Sequence, residues 1–595
     1  MSTTEIAFEI FIFAARLVLP LLVVLLFILS AKRLLKKTPV IPLATLQIKG
    51  TQNTFDIRGA ECSLGRSRVC DVRLNIPTIS RRHAVLSYSK DYGFKISSVN
   101  DSEIFVNGIK VDGFAYVRIG DTITIGSVDL SIAPPVFSDV SSSTRKKRAR
   151  GSGLQMALLS FIQLIITAEL MIHYIGDFQK NIPIVFGATF VVGWILYFIF
   201  GKNDTFSVDI IGLLLTTFGF AVAASAYPSS LLKQFVAFIL GLGVFIVAGI
   251  LMKKLEWTMK MRYVLTVATV LLFAVNLIFG KNINGAKNWL VLGPITVQPS
   301  ELLKFAFVFV GASTLDRLLA KRNVFLFLVF SGICIGSLAL MRDFGTAAIY
   351  FVTMLIIMFM RSGDLKIITA VSVGVGAAAI AVANFVPYVK RRFMTYRHAW
   401  EYAADKGYQQ TRTMIAIASG GLFGLGGGNG NLDKVAAADT DLVFGILCEE
   451  WGLIIALCLA LCFVLFAIYA WRRIPSSNSA FYAIAACAAS GLFIFQISLN
   501  IFGSTDLLPL TGVTMPFISN GGSSMIASWA LLSFIKAVGE NTNKPSYEQS
   551  DDEYYDDYSD DYYDDESGEF QDDYDGCNDE YDDNEIYSNS KKGRR

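Results

Sequence analysis

The chain has 595 residues, 53% of them hydrophobic and 17% charged, with a mean hydropathy of +0.49. Apolar runs of about twenty residues recur along it, more than a soluble core can absorb, which makes it a polytopic α-helical membrane protein. Its net charge of +2 hides a division: residues 546–590 carry 20 Asp and Glu and no Lys or Arg, whereas residues 1–545 hold 48 of the 52 Lys and Arg and 30 of the 50 acidic groups, a net of +18.

A basic membrane body suits anionic lipid surfaces and anionic substrates, and no nucleic acid is expected as a partner. The eight Cys form no CxxC pair or Cys/His cluster, which argues against a disulfide framework or a structural metal. The three His leave little room for His-based catalysis.

In chain order, residues 1–36 read as a retained membrane anchor. The first apolar run lacks a basic leader and a cleavage site, and AKRLLKK follows it. Residues 43–133 alternate apolar and polar residues in short runs punctuated by Gly, Asn and Asp, the pattern of a small all-β domain. A basic linker, 134–153, contains SSSTRKKRARGSG.

Twelve further spans are expected at 155–175, 182–200, 207–226, 231–251, 263–280, 301–319, 323–341, 345–360, 366–386, 441–470, 479–502 and 521–538. The span at 441–470 is long enough to be tilted. Residues 541–595 form an acidic Tyr/Asp tail that cannot bury a core and reads as disordered.

Lys and Arg set the orientation. KK at 253–254, KMR at 260–262, KR at 321–322, the RSGDLK loop and WRR at 471–473 fall on alternate connections, expected to be cytoplasmic. The N-terminus is then outside, with the β domain, linker and tail inside. Thirteen crossings satisfy that parity. The outside receives 281–300, the long loop 387–440 and 503–520.

These outer segments hold the chemistry. Pro299 suits a first helical turn, so a helix starts near Ser300 and places Glu301 and Lys304 on one face. Such a pair is either an interfacial anchor or part of a site. Asp343 and Asp441 each open an expected helix at the same end, where a carboxylate can also be a simple cap.

Lys281, Lys287, Lys390, Arg391, Arg392 and Arg412 add a cationic rim. Cations for phosphate beside a carboxylate base suit a diphosphate-bearing, membrane-anchored substrate. The Gly cluster at 420–430 reads as a hinge, since no P-loop Lys-Ser/Thr follows it. Glu449 and Glu450 read as buried structural groups.

The motifs GAKNWLVLG, QPSELLKF, DFGTA, GYQQTRTMIAIASGGLFGLGGGNG, TDLVFGILCEEWG and LPLTGVTMPFISNGGSS occur in that order. Together they resemble the SEDS family, the RodA/FtsW/SpoVE-type peptidoglycan polymerases. The resemblance implies a ten-helix glycosyltransferase core over 204–540, preceded by an extra hairpin at 154–203. It also implies transfer of glycan from lipid II, an undecaprenyl-diphosphate-linked disaccharide-pentapeptide, at the outer face of the bacterial cytoplasmic membrane.

By resemblance Asp441 is the essential acid, taken as general base. Trp289, Glu301, Lys304 and Asp343 are motif residues of the site. A class B penicillin-binding transpeptidase is the implied partner, and a divalent cation such as Mg2+ is a possible aid to diphosphate departure. Met341-Arg342, Asp439 and Arg412 depart from the family's usual Gln-Pro, His and Gln. A lipid II flippase and a non-catalytic division scaffold are the alternatives.

The β domain carries CSLGRSRVCDVRL, ISRRHAVLSY, FVNGIKV and IGDTITIG, which resemble a forkhead-associated (FHA) domain. The resemblance implies that Arg66, Ser80, Arg81 and Asn107 hold a phosphothreonine, supplied by proteins that a Ser/Thr kinase modifies. Gly65 and His83 are then structural.

Overall fold

In the computed structural model the described residues are 3–36, 42–134 and 151–542, apart from 60, 68–69, 90–92, 100–101, 284–285, 294, 316–320, 363–368, 370, 375 and 377–394. The basic linker, the acidic tail, Lys390, Arg391 and Arg392 lie outside them. The first helix, α1, runs from Thr3 to Leu34 and keeps Lys32 and Arg33 in its last turn, where cations complement the helix dipole.

A β-sandwich follows. Its strands are β1 Ala44–Ile48, β2 Thr54–Ile57, β3 Glu61–Gly65, β4 Val72–Arg73, β5 Ala84–Ser89, β6 Gly93–Ser98, β7 Ile104–Val106, β8 Ile109–Lys110, β9 Phe114–Val117, β10 Thr122–Ile125 and β11 Val128–Ala133. One sheet has the order β2-β1-β11-β10-β7-β8 and the other β4-β3-β5-β6-β9. Period-2 alternation turns Ile123, Ile125, Leu130 and Ile132 inward to meet Leu46, Leu64, Leu86 and Ile96. Truncating a fully buried member such as Ile123 to Ala would cost about 2–5 kcal/mol.

The helices that follow are α2 Gly151–His173, α3 Asn181–Phe200, α4 Phe206–Ala226, α5 Leu231–Met252, α6 Leu255–Phe279, α7 Pro299–Leu315, α8 Lys321–Leu340 and α9 Phe344–Ser362. After the long loop come α10 Tyr408–Gly420, α11 Val443–Ile446, α12 Leu453–Arg473, α13 Ala480–Ser504 and α14 Gly522–Glu540. Eleven helices among the described residues are long and apolar enough to cross a membrane. The central one, α4, is buried on every side, so it reads as apolar all round rather than amphipathic.

Two of the expected spans fall partly outside the described residues. That at 301–319 appears as α7, ending before 316–320, and that at 366–386 lies largely outside.

Two sequence readings are corrected. The expected continuous span 441–470 is broken: α11 is followed by a wide π turn, Leu447–Trp451, and α12 starts only after Gly452 at φ +89°. A side chain at Gly452 would run into the backbone of Leu422 and Phe423, so this break needs glycine.

The Gly cluster is likewise not a loose hinge. Gly424, Gly426 and Gly428 all have positive φ. Their backbones pack so closely on Glu450, Glu169 and His173 that no side chain fits.

A further element was not anticipated. Residues 281–297 form an antiparallel meander, β12 Lys281–Ile283, β13 Ala286–Leu292 and β14 Ile295–Val297, with Leu290 opposite Val297 and a turn at Gly293. Its longest strand, AKNWLVL, has no apolar–polar alternation, so period 2 does not signal it.

The bundle has two polar ends. At one, Ser152 donates to the Gly201 carbonyl (2.7 Å), Asn478 pairs with Asn541, and Arg361 at the end of α9 meets Glu61 of the sandwich at 2.7 Å. At the other lie the meander, the loop 395–442 and the segment 505–521.

Candidate active site

Three groups of polar side chains meet at this second end. The first is Glu301 and Lys304. Pro299 opens α7, Glu301 occupies its first turn, and Lys304 follows one turn later, within 2.7 Å of the Glu301 carboxylate. Their side chains are 6% and 1% exposed. Two buried charges persist only when their remaining bonding capacity is also met. Accordingly the Lys304 ammonium also donates to Gln496 Oε1 of α13 (2.9 Å). The Gln496 amide in turn donates to the Thr514 carbonyl (2.8 Å), and the Thr514 and Ser524 hydroxyls are 3.0 Å apart.

The second group surrounds Asp343, which caps α9. Its Oδ1 accepts from the Thr346 N–H (3.1 Å), as an N-cap residue should. Its Oδ2 accepts from Asn288 of β13 (2.7 Å) and, at 3.4 Å, from Gln298 just before α7. The Lys287 N–H donates to the Met341 carbonyl (2.9 Å), so the meander is tied to the turn that carries Arg342 at φ +63°.

Asp441 forms the third group. Its N–H donates to the Ala437 carbonyl (2.9 Å), and its own carbonyl accepts from the Asn500 amide (3.0 Å). The same amide donates to the Val513 carbonyl (2.8 Å). The half-buried carboxylate lies against Gly512, at φ +69°, where a Cβ would sit 3.2 Å from Oδ2. A residue other than glycine there would both strain the backbone and crowd the acid.

The segment 511–524 is therefore the hub. It touches Asp441 through Gly512, the buried pair through Thr514, and the start of α9 where Gly345 packs on Thr511 and Val513.

Asp439 is fixed beside them. Its Oδ2 accepts from the Asn520 amide (2.9 Å), and Asn520 also donates its N–H to the Asp439 carbonyl (2.9 Å). Burial pushes the Asp439 carboxyl above the ordinary range, and the Asn520 amide opposes that shift.

Other expected site residues stand differently. Trp289 is half-buried opposite Lys281 in the meander. Lys287 is exposed and turns its ammonium to the Leu277 carbonyl (2.8 Å) at the end of α6, a favourable dipole contact. Arg412 is exposed on α10, its guanidinium 5.1 Å from the Tyr408 ring.

Sequence reasoning passed over Asn288, Gln298, Gln496, Asn500 and Asn520. The available signal was the placement of Gln496 and Asn500 four residues apart inside an apolar span, where polar groups are costly. Among the described residues no cluster of three or more His, Cys, Asp or Glu could hold a metal ion. The carboxylates of Asp343 and Glu301 are already taken up by the bonds above.

The sandwich carries its own candidate site. The Arg66 N–H donates to the Ser80 carbonyl (3.0 Å) and the Ser67 N–H to the Arg81 carbonyl (2.9 Å), so the two loops run side by side. A Cβ at Gly65 would collide with the main chain of Arg81 and Arg82. Buried His83 accepts from the Ser80 N–H at Nδ1 (3.2 Å) and lies 2.8 Å from the Glu103 carbonyl at Nε2, which fixes the loop.

Arg66, Ser80 and Arg81 are exposed, and among the described residues no hydrogen bond or ion pair holds the Arg66 or Arg81 side chain. Asn107, at φ +51°, uses its amide within the turn, donating to Asp121 Oδ1 and accepting from the Thr122 N–H, both at 2.9 Å. The Arg118 N–H and the Asn107 amide hold the Asp121 carboxyl below its usual value.

The cell cycle protein profile of FtsW, RodA and SpoVE matches residues 205–544. The chain belongs to the FtsW/RodA/SpoVE family. Within it, the chain is 33% identical over 297 residues to the probable peptidoglycan glycosyltransferase FtsW of Coxiella burnetii, covering 48% of this chain and 80% of that protein. It is 31% identical over 337 residues to the protein of that name in Moranella endobia, covering 54% and 86%.

A chain of a peptidoglycan synthase complex that coordinates polymerization and crosslinking aligns at 26% identity over 56% of this chain and 97% of that one, with a TM-score of 0.48. Thermus thermophilus RodA aligns at 25% identity over 57% and 98%, with a TM-score of 0.43. An FHA profile matches residues 62–126. The FtsW/RodA/SpoVE region thus starts at α4 and contains all three polar groups. The sandwich and α1 to α3 are additions to it.

Proposed function

We propose that this FtsW/RodA/SpoVE-family protein is a peptidoglycan glycosyltransferase. It polymerises lipid II into glycan strands at the outer face of the cytoplasmic membrane, and phosphothreonine recognition by its FHA domain regulates it. The observation that carries this reading is the setting of Asp441. Its main chain is fixed by Asn500, its carboxylate lies beside the Gly512 turn, and the same segment reaches the buried Lys304–Glu301 pair.

In the reaction, Asp441 takes the proton from the acceptor's 4-hydroxyl as that oxygen attacks the donor's anomeric carbon. The bond to the undecaprenyl diphosphate breaks with inversion, and the diphosphate departs with the electron pair. Basic groups meet the developing charge: Arg412 at this end and, by their place in the sequence of the same long loop, Arg391 and Arg392. Glu301, Lys304, Asp343 and Trp289 shape the site. Charge asymmetry supports placing this end outside, with the sandwich, linker and tail in the cytoplasm.

A class B penicillin-binding transpeptidase is the expected partner on the outer side, and a kinase-modified phosphothreonine protein on the inner side. The test is polymerisation of lipid II by the purified protein, alone and with a transpeptidase, against Asp441→Asn. Glycan from the wild type and none from the variant supports the reading. Glycan from neither, or equally from both, overturns it.

A further inference from the structure

The additions before residue 205 are not a separate appendage. Helix α2 sends Glu169 into the family core: it is 1% exposed, and its Oε1 accepts the N–H of Gly427 at 3.1 Å. One turn later His173 Nδ1 lies 3.3 Å from Asn429 Oδ1, and its ring fills the space beside Gly428.

The loop so held is itself fixed to the π turn that follows Asp441. Leu425 and Gly426 donate to the Glu449 and Glu450 carbonyls (2.8 and 2.9 Å). The Glu449 carboxylate accepts from the Leu432 N–H (3.0 Å). Only α11 separates that turn from Asp441.

A buried carboxylate that satisfies one backbone N–H of a loop leaves that N–H unpaired when it is lost. The loop would then be free to reorganise the turn, and with it the position of the acid.

We infer that Glu169 is a positioning residue for the glycosyl transfer. Through Gly427, the added N-terminal helices clamp the glycine-rich loop and so set the Asp441 segment. This rests on the polymerase reading. It also makes the module that flanks the FHA domain part of the catalytic assembly, because the sandwich is threaded between α1 and α2.

The test compares full-length Glu169→Leu, which removes the acceptor, with Glu169→Gln, which keeps a carbonyl acceptor of the same size. In lipid II polymerisation, Glu169→Leu is expected to lower kcat about tenfold with KM little changed, and Glu169→Gln to restore most of it. Hydrogen exchange read on peptides spanning 424–432 should quicken in Glu169→Leu and not in Glu169→Gln.

Wild-type kcat and exchange in Glu169→Leu overturn the inference. So does an equal loss in both variants that follows their lowered thermal midpoints. A wild-type protein that makes no glycan defeats the polymerase reading instead, while the exchange experiment still decides the clamp. If Glu169→Leu does not fold, His173→Ala removes the α2 partner of Asn429 and the ring beside Gly428 while leaving the loop's own Asn429–Leu425 bond in place. Faster exchange at 424–432 with lower kcat supports the clamp, and wild-type values for both overturn it.

Discussion

Two buried Lys–carboxylate pairs occupy opposite ends of the bundle. Lys304 and Glu301 are 2.7 Å apart at the end with Asp441, and Lys536 and Asp209 are 2.8 Å apart at the other. The chemistry is the same and the surroundings are not. Lys304 spends a second bond on Gln496, which continues through Thr514 to the segment against Asp441. Lys536 instead has the rings of Phe200 and Phe245 at 4.3 and 5.0 Å and the Glu540 carboxylate at 3.9 Å, and Asp209 keeps one oxygen without a partner. The first pair is wired by directional bonds into the 511–524 segment. The second is sealed between aromatic faces, where a cation gains from the ring quadrupole. On the proposed reading the first shapes the site, whereas the second holds α4 against α14.

The sharpest way to fix the functional end is Asp441→Asn. Loss of a general base is worth about 10²–10⁴-fold in rate, and the amide leaves the backbone contacts of Asp441 intact. Lipid II polymerisation should fall by that range with the thermal midpoint in detergent unchanged.

The comparison itself is tested next. Lys304→Met and Lys536→Met each strand a buried carboxylate, which costs about 3–5 kcal/mol. Replacing both partners with apolar residues should recover most of that stability at either end. The activities should then part. Asp209→Leu/Lys536→Met is expected to polymerise lipid II at the wild-type rate, whereas Glu301→Leu/Lys304→Met stays at least about tenfold low. If the two double variants behave alike in thermal unfolding and in turnover, the distinction between the pairs fails.

The first pair was legible from QPSELLKF because its residues are local, one turn apart. The second was not, because Asp209 and Lys536 are 327 positions apart and each alone reads as a residue near a membrane boundary. The same physics explains the other differences. The helices and sandwich strands follow from period and composition, which are local.

The break at Gly452 and the packed loop at 424–430 follow from backbone contacts between distant segments, which no period announces. Asp343 and Asp441 were legible as acids at helix starts. The groups that orient them, Asn288 and Asn500, lie 55 and 59 positions away, and only the fold brings them in.

The exposed arginines proposed to hold a phosphothreonine contrast with both buried pairs, since they are solvated and their removal costs little. Arg66→Ala should weaken binding of a phosphothreonine peptide about 10- to 100-fold, the worth of a charge-assisted hydrogen bond. The measurement is fluorescence anisotropy, and the thermal midpoint should stay put. A variant that binds as the wild type does would place phosphate recognition elsewhere on the sandwich.

The smallest expected effect concerns Asp439, a half-buried acid bonded to the Asn520 amide, rather than an ion pair. Burial raises the Asp439 carboxyl above its ordinary value in the folded protein. At pH below the ordinary value both states are protonated and burial carries no electrostatic penalty. As pH climbs from there through the raised folded value, the unfolded chain releases its proton first, so folding loses stability until the penalty is complete. Asp439→Asn cannot ionise and still accepts from Asn520 through its carbonyl oxygen. Its stability relative to the wild type should therefore rise with pH across that window and level off above it. Thermal unfolding of the two proteins between acid and neutral pH reads the difference. A gap that moves the other way would mean that the Asn520 amide, not burial, governs this carboxylate, and that it belongs with the bonded Lys304–Glu301 pair rather than with the partly unpaired Asp209.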